Sequence, residues 1–244
     1  MGVGYQVSPL HRLIRLDTAA FQQRPIVRGE SSVLDALADA TGAKIVASGP
    51  LPTRSPTVES ILAWRQALVD EYNDRLGEQL TWDERSTFAT SEDVATSGDV
   101  AFRYAANVMD QLGQARLKDF IDRPERLRDD MVAAFAEAER RGSGGRFPQL
   151  LLGARTWLPF ERNLIIEWPN WDGKTDRYGS VFRFFDEVAA VRAGIADADP
   201  SVVQCAESDE PSDQFLASAW QASETILRLA SLAATKRLPL LTTG

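Results

Sequence analysis

Histidine and cysteine are almost absent from this chain of 244 residues, since His11 and Cys205 are the only ones. A single cysteine excludes an intramolecular disulfide and a cysteine zinc site. A single histidine excludes a metal site built from several histidines and leaves only His11 for a histidine-based triad. The chain also lacks a Gly-x-Ser-x-Gly elbow and the glycine-rich phosphate-binding patterns. We therefore assign no catalytic residue, no metal ligand and no cofactor from sequence.

Long hydrophobic runs are also missing. No stretch reaches the roughly 18 apolar residues that a membrane helix needs. Arg12, Arg15 and Asp17 interrupt the N-terminal segment, which therefore does not resemble a signal peptide. Together with the single cysteine, these features predict a soluble cytoplasmic protein with no membrane partner. Lysine is scarce beside arginine, which is typical of GC-rich coding sequence and indicates a bacterial source.

Basic residues are fewer than acidic ones, 27 against 35. The formal net charge is −8, while 44% hydrophobic and 25% charged residues are typical of a globular protein. The average field of such a chain repels phosphate backbones and anionic lipid surfaces, so nucleic acid is an unfavourable partner. A basic protein would be attracted.

Helices are predicted where apolar residues recur at three- and four-residue spacing after a capping residue. Asp99 is expected to cap one of them, with Leu112 on its buried face, and Ser180 to cap another. The predicted helices run over 31–42, 57–76, 99–112, 122–138, 180–192 and 212–238.

Strands are predicted where branched and aromatic residues lie between turn residues. They run over Tyr5–Leu16, Lys44–Ala47, Leu150–Leu152, Thr156–Phe160, Asn163–Trp168 and Val202–Cys205. Loops are predicted over 49–56, over 80–98, which is polar and aperiodic, and over 169–178.

The order of these elements predicts an α+β fold, with a mixed or antiparallel sheet and several packed amphipathic helices. Residues 142–145, with the sequence Gly-Ser-Gly-Gly, are the best candidate boundary between a helical part, 1–141, and a strand-containing part, 146–244. One sheet that includes both the first and the later strands would instead make 1–244 a single domain, which is the interpretation that we prefer.

Tryptophans and carboxylates concentrate between Trp157 and Tyr178. Trp168, Trp171, Asp172 and Asp176 lie there. Core packing of the tryptophans is one interpretation. A protein-binding loop is a second, because exposed tryptophan is common at binding hot spots. A sugar or small-molecule site with paired carboxylates is a third. Residues 172–176 resemble a fragment of a calcium loop but lack its closing glutamate, so we interpret them as a solvated turn.

The stretch Ala193–Leu227 is acidic and contains no lysine or arginine. Such a stretch is either a solvated loop with acids at a helix start or a surface that attracts a basic partner. Its acidic residues are Asp197, Asp199, Glu207, Asp209, Glu210, Asp213 and Glu224.

These features favour a protein-interaction module that binds or inhibits a basic protein over an enzyme. The residues expected to contact the partner are Trp168, Trp171, Asp172, Asp176, Glu207, Asp209, Glu210 and Asp213. One alternative is a carboxylate-dependent hydrolase that uses Glu167 and Asp172 near the aromatic loop. A structural subunit of a larger assembly is a further hypothesis.

Overall fold

The computed structural model describes residues 2–10, 57–76, 80–117, 140, 145–170, 174–205 and 215–243. The strands are β1 (Gly2–Val7), β2 (Thr90–Ala95), β3 (Thr156–Leu158), β4 (Ile166–Pro169), β5 (Thr175–Ser180) and β6 (Leu240–Thr243). The helices are α1 (Val58–Leu76), α2 (Thr96–Gln111), α3 (Pro148–Leu151), α4 (Val181–Ala198), α5 (Ser201–Cys205) and α6 (Phe215–Lys236), and a 3₁₀ turn spans Gln114–Arg116.

The strands form one six-stranded sheet in the order β2-β1-β6-β3-β5-β4. β3 and β5 run parallel, and every other neighbouring pair is antiparallel. The predicted α+β fold with a mixed sheet is therefore confirmed. β1 and β2, which precede residues 142–145, pair within the same sheet as the strands that follow that segment. The number of domains stays a prediction.

Local capping explains where two of the predicted helices begin. The Thr57 hydroxyl accepts a hydrogen bond from the Ser60 backbone N–H at 3.2 Å, and the Ser60 hydroxyl accepts from the Thr57 N–H at 2.9 Å, at the start of α1. The Ser180 hydroxyl accepts from the Arg183 N–H at 3.2 Å and caps α4 as predicted. A serine or threonine cap satisfies amide groups that the first helical turn leaves without partners.

Helices α2, α4 and α6 pack together against one side of the sheet. The backbone of α2 approaches α6 closely at Gly98, where a Cβ atom would lie 3.0 Å from that of Ala222. Apolar side chains fill the space between the helices and the strands, and Trp157, Tyr5 and Phe184 are fully buried there.

Three predicted strands are corrected. Leu150–Leu152 falls on helix α3 and the residue after it, where Pro148 begins the helix with a backbone angle that suits a first turn. Val202–Cys205 lies in helix α5, because the Asp199 carboxylate accepts from the Ser201 N–H at 3.0 Å and starts a helix. The strand predicted from Tyr5 begins instead at Gly2 and ends at Val7, and Leu10 is already helical.

Two predicted loops contain strands. Thr90–Ala95 forms β2 inside the segment predicted as loop, because β1 supplies a hydrogen-bonding partner along its whole length. Thr175–Ser180 forms β5 for the same reason, with β3 and β4 on its two sides. Strand β6 follows Pro239 and was not predicted. Pairing with neighbouring strands of the sheet decides the conformation of all three segments.

The start of α2 is also corrected. The helix begins at Thr96, so Asp99 lies inside its first turn and does not cap it. Leu112 follows the last residue of α2 and is 52% exposed, so its predicted place on the buried face is wrong. The helix predicted from 180 to 192 is correct in kind and continues to Ala198.

Several predictions lie outside the described residues. These are the helices over 31–42 and 122–138, the strand Lys44–Ala47, the loop over 49–56, the segment 142–144, and the cap at Ser212.

Candidate functional site

The aromatic segment predicted as a binding loop contains a β-hairpin that packs against α1. The Trp168 ring meets the Tyr72 ring edge to face, with centroids 5.7 Å apart. The Tyr72 hydroxyl donates to the Glu167 carbonyl at 3.1 Å, and the Trp64 indole donates to the Pro169 carbonyl at 2.7 Å. Trp168 is half-buried and makes part of its contacts inside the protein.

The carboxylates of this hairpin have partners within it. The Arg177 guanidinium donates to Glu167 at 2.9 Å and to the Leu152 carbonyl at 3.0 Å, which ties β4 and β5 to the loop after α3. Asp176 stands opposite Trp168 across the hairpin and accepts from the Arg177 backbone N–H at 2.8 Å. Glu167 is thus neutralised by a neighbour, and the hydrolase hypothesis stays a prediction. Trp171 and Asp172 lie outside the described residues.

Trp157 belongs to the core. It is fully buried, its ring centroid lies 4.0 Å from that of Phe184, and its indole donates to the Gln149 carbonyl at 3.2 Å. The core-packing interpretation therefore describes Trp157, and a ligand cannot reach its faces.

A buried cluster links β1, α2 and α3. The Tyr5 hydroxyl donates to Asp99. Arg103 donates to the other oxygen of Asp99 at 3.0 Å and to the Leu150 carbonyl at 3.0 Å. Burial raises the pKa of the Tyr5 phenol well above its ordinary value. Because each charged group is matched inside the cluster, its contacts are those of a structural clamp.

Glu187 of α4 is the second buried acid with a structural contact. Its two carboxylate oxygens accept from the Gln149 and Leu150 backbone N–H groups at 3.2 and 3.1 Å, in the first turn of α3. Burial raises the pKa of the Glu187 carboxyl to about 8, the two amide donors oppose this rise, and the nearby charges of Asp110 and Asp186 add to it. A shifted pKa often marks a functional site. Here both oxygens are occupied by backbone donors, so the carboxyl holds α3 in place.

Two acids of the stretch Ala193–Leu227 lie at the C-terminal end of α4. The Gln114 side chain donates to exposed Asp197 at 3.0 Å, which joins the 3₁₀ turn to the end of α4. Asp199 accepts from the Ser201 hydroxyl at 2.6 Å at the start of α5. Both partners are neutral side chains, and within the described residues neither acid forms an ion pair. The negative charge of both acids is therefore not cancelled by a described cation.

The two exposed large apolar side chains of the described chain are close in sequence to these contacts. Leu112 is 52% exposed and Val203 is 44% exposed. Leu112 precedes Gln114 by two residues, and Val203 follows Asp199 by four, so both flank the contact between the 3₁₀ turn and α4. We call Leu112, Gln114, Asp197, Asp199 and Val203 the α4-end surface.

Sequence reasoning missed Leu112 and Val203 because it placed both in buried elements. Gly113, with a φ of +85°, turns the chain away immediately after Leu112. Asp199-Pro200 is a typical helix start and could have predicted α5. The remaining acidic candidates, Glu207, Asp209, Glu210 and Asp213, follow α5 in the chain and lie outside the described residues.

Among the described residues, no group of three or more histidine, cysteine or carboxylate side chains is arranged to hold a metal ion. None of the described helices combines the length and hydrophobicity that a membrane-spanning segment requires. No protein-family model matches the chain, and neither a curated protein nor a solved structure matches it.

Proposed function

We propose that this protein is an interaction module that binds a basic protein partner through the α4-end surface. The observation that carries the proposal is the pairing of exposed apolar side chains with uncompensated acids. Leu112 is exposed two residues before Gln114, which donates to Asp197, and Val203 is exposed four residues after Asp199. The acidic residues Glu207, Asp209, Glu210 and Asp213 continue the chain from α5 and extend the negative charge along the sequence.

Acids and apolar side chains contribute to binding in different ways. Surface charge of one sign raises the rate at which an oppositely charged partner associates. Buried apolar contacts at the centre of an interface slow its dissociation. Exposed leucine and valine beside acids therefore suit a partner whose basic residues surround an apolar patch.

Several acids on other described surfaces are paired with arginine. Glu92 pairs with Arg228, Glu224 with Arg192, and Asp186 with Arg183. An exposed pair presents a nearly neutral surface to an approaching protein, whereas Asp197 accepts only from an amide. Asp197 and Asp199 therefore differ from these acids in that neither forms an ion pair with a described residue.

The test compares three tagged proteins: wild type, a double variant that combines Asp197→Lys with Val203→Ser, and Glu71→Lys. Glu71→Lys is the control because it makes the same change of charge at an exposed position of α1. Each is used to capture proteins from the native cell extract, and the captured partner is then purified and titrated by calorimetry at low and high salt. We expect a basic partner that the double variant binds at least about tenfold more weakly, because both a charge and an apolar contact are lost. Glu71→Lys should bind like wild type.

Two results would overturn the proposal. The first is a partner that binds the double variant as tightly as wild type, which would place the contact elsewhere. The second is an affinity that does not change with salt, because attraction between exposed charges weakens when ions screen them. Melting curves of all three proteins check that the substitutions leave the fold intact.

A further inference from the structure

The two edges of the sheet differ in what covers them. At the β4 edge, the outward carbonyls of Glu167 and Pro169 accept hydrogen bonds from the Tyr72 and Trp64 side chains of α1. An edge whose carbonyls are occupied cannot pair with another strand. The β2 edge is the opposite end of the strand order.

The hydrogen bonds of β6 show which residues of β1 face β2. The Ser8 N–H donates to the Pro239 carbonyl at 3.3 Å, and the Thr242 N–H donates to the Arg155 carbonyl on the β3 side at 2.9 Å. In an antiparallel pair, the residues that bond to one neighbour alternate with those that bond to the other. Gly4 and Gln6 therefore bond towards β6.

It follows that Val3, Tyr5 and Val7 bond towards β2, where their register partners are Val94, Glu92 and Thr90. The backbone N–H and C=O groups of the alternate residues of β2 then point away from the sheet.

These outward residues are Ser91, Asp93 and Ala95, and all three side chains are exposed. No described side chain forms a hydrogen bond, ion pair or ring contact with Ser91 or Asp93. Ala95 is the N-cap residue of α2, so its carbonyl faces the first turn of that helix and its N–H is the group left for an added strand. A run of six paired residues without a bulge is the geometry that an added strand needs.

We propose that β2 binds an extended strand of a basic partner, which pairs antiparallel to Ser91–Ala95 and places a lysine or arginine opposite Asp93. The partner class rests on the proposed function, whereas the edge geometry does not. Glu92 is already bound by both guanidinium nitrogens of Arg228, so Asp93 is the acid of β2 that remains for an incoming cation.

Charge also decides between a basic strand and a second copy of this chain. Antiparallel pairing of two β2 edges over the full length of Ser91–Ala95 would bring Asp93 opposite the Asp93 of the other copy, and like charges directly opposite are unfavourable. A basic residue at that position is favourable for the same reason. The small side chains of Ser91 and Ala95 leave room for bulky residues two positions before and after the basic one.

The experiment uses the full chain and fluorescently labelled seven-residue peptides with lysine at the centre and valine two residues to either side. One peptide carries an N-methyl group on the central lysine, whose N–H would face β2. The matched control carries it on the next residue, whose N–H would face solvent. We expect the first to bind at least about tenfold more weakly than the control, because it loses a backbone hydrogen bond and gains a steric clash. A peptide with central glutamate should bind at least about threefold more weakly than the lysine peptide.

Substitutions on the protein give the reciprocal test. Ser91→Pro removes an outward N–H, and edge strands tolerate proline where the N–H faces outward. We expect Ser91→Pro to weaken binding of the lysine peptide about tenfold, whereas Ser91→Ala should have little effect on binding. If Ser91→Pro fails to fold, Asp93→Lys replaces it. Asp93→Lys should bind the glutamate peptide more tightly than the lysine peptide.

Equal binding of the two N-methyl peptides, or of the lysine and glutamate peptides, would overturn the inference. So would self-association of the wild type in sedimentation that Ser91→Pro abolishes, because the edge would then bind a second copy. The peptide assay needs no native partner, so its failure is distinct from failure of the capture experiment. A captured partner that binds Ser91→Pro and Asp93→Lys as it binds wild type would leave the proposed function standing and remove the edge from it.

Discussion

Replacing Glu187 by glutamine is expected to remove one component of the dependence of folding stability on pH. The Glu187 carboxyl is buried in the fold with a pKa of about 8, against an ordinary value of 4.5. The folded protein therefore holds a proton between these two values that the unfolded chain has released. This component of stability is fully present below about pH 4.5, falls as the pH rises, and is lost above about pH 8.

The magnitude follows from the two pKa values. Each pKa unit is worth about 1.4 kcal/mol, so a rise from 4.5 to about 8 corresponds to at most about 5 kcal/mol in the free energy of unfolding. The limiting slope is about 1.4 kcal/mol per pH unit, which is the value for one proton. Glutamine has nearly the same shape and stays neutral. It can accept from one of the two α3 amides, so its variant should show a constant offset without this slope.

The assay is urea unfolding of the wild type and Glu187→Gln at a series of pH values from 5 to 9. Glu71→Gln is the control, because it removes one carboxylate at an exposed position of α1 that does not affect the pKa of Glu187. Ionisable groups that do not interact with Glu187 cancel in the difference between two proteins. A difference between wild type and Glu187→Gln that does not change with pH would refute the reasoning, whatever the size of the offset. The difference between wild type and Glu71→Gln should change little with pH.

Two further predictions concern packing and edge protection. Gly179→Ala should lower the free energy of unfolding by about 2–3 kcal/mol in urea denaturation, because the added Cβ would lie 2.3 Å from the Gln149 side-chain oxygen and 2.5 Å from Trp157; wild-type stability would mean that these buried groups can move aside. Trp64→Phe should cost about 1 kcal/mol, since it leaves the Pro169 carbonyl without its indole donor. An unchanged denaturation midpoint for Trp64→Phe would show that water replaces the indole.

The helices were the most predictable part of the fold. Their signals are local: the Ser180 hydroxyl and the Thr57–Ser60 pair cap the first turns, and apolar spacing then marks the buried face. The errors occurred where a short helix has too few residues to show a period. The sequence of α3 is a short apolar run, which resembles a buried strand. Its first-turn amides donate to Glu187, a residue that is distant along the chain, and this contact stabilises the helix.

The sheet was predictable only in class. β2 has the sequence Thr-Ser-Glu-Asp-Val-Ala and shows no apolar alternation, because it pairs on one side and is an edge. Its conformation depends on β1, which lies more than eighty residues earlier. Pairing with a distant strand does not require a pattern in the local sequence. Composition and spacing therefore could not predict β2 or the short strand β6.

Sequence alone determined the net charge, the absence of the familiar catalytic motifs, and the acidic stretch that contains no lysine or arginine. These are properties of residue identity and do not depend on folding. Only the tertiary structure decided which of these side chains are exposed and without a charged partner, and can therefore contact another molecule. In the folded chain Trp168 packs against Tyr72, Glu167 pairs with Arg177, and Leu112 is exposed. Whether a side chain is exposed depends on which residues pack against it, and those residues often come from distant parts of the chain.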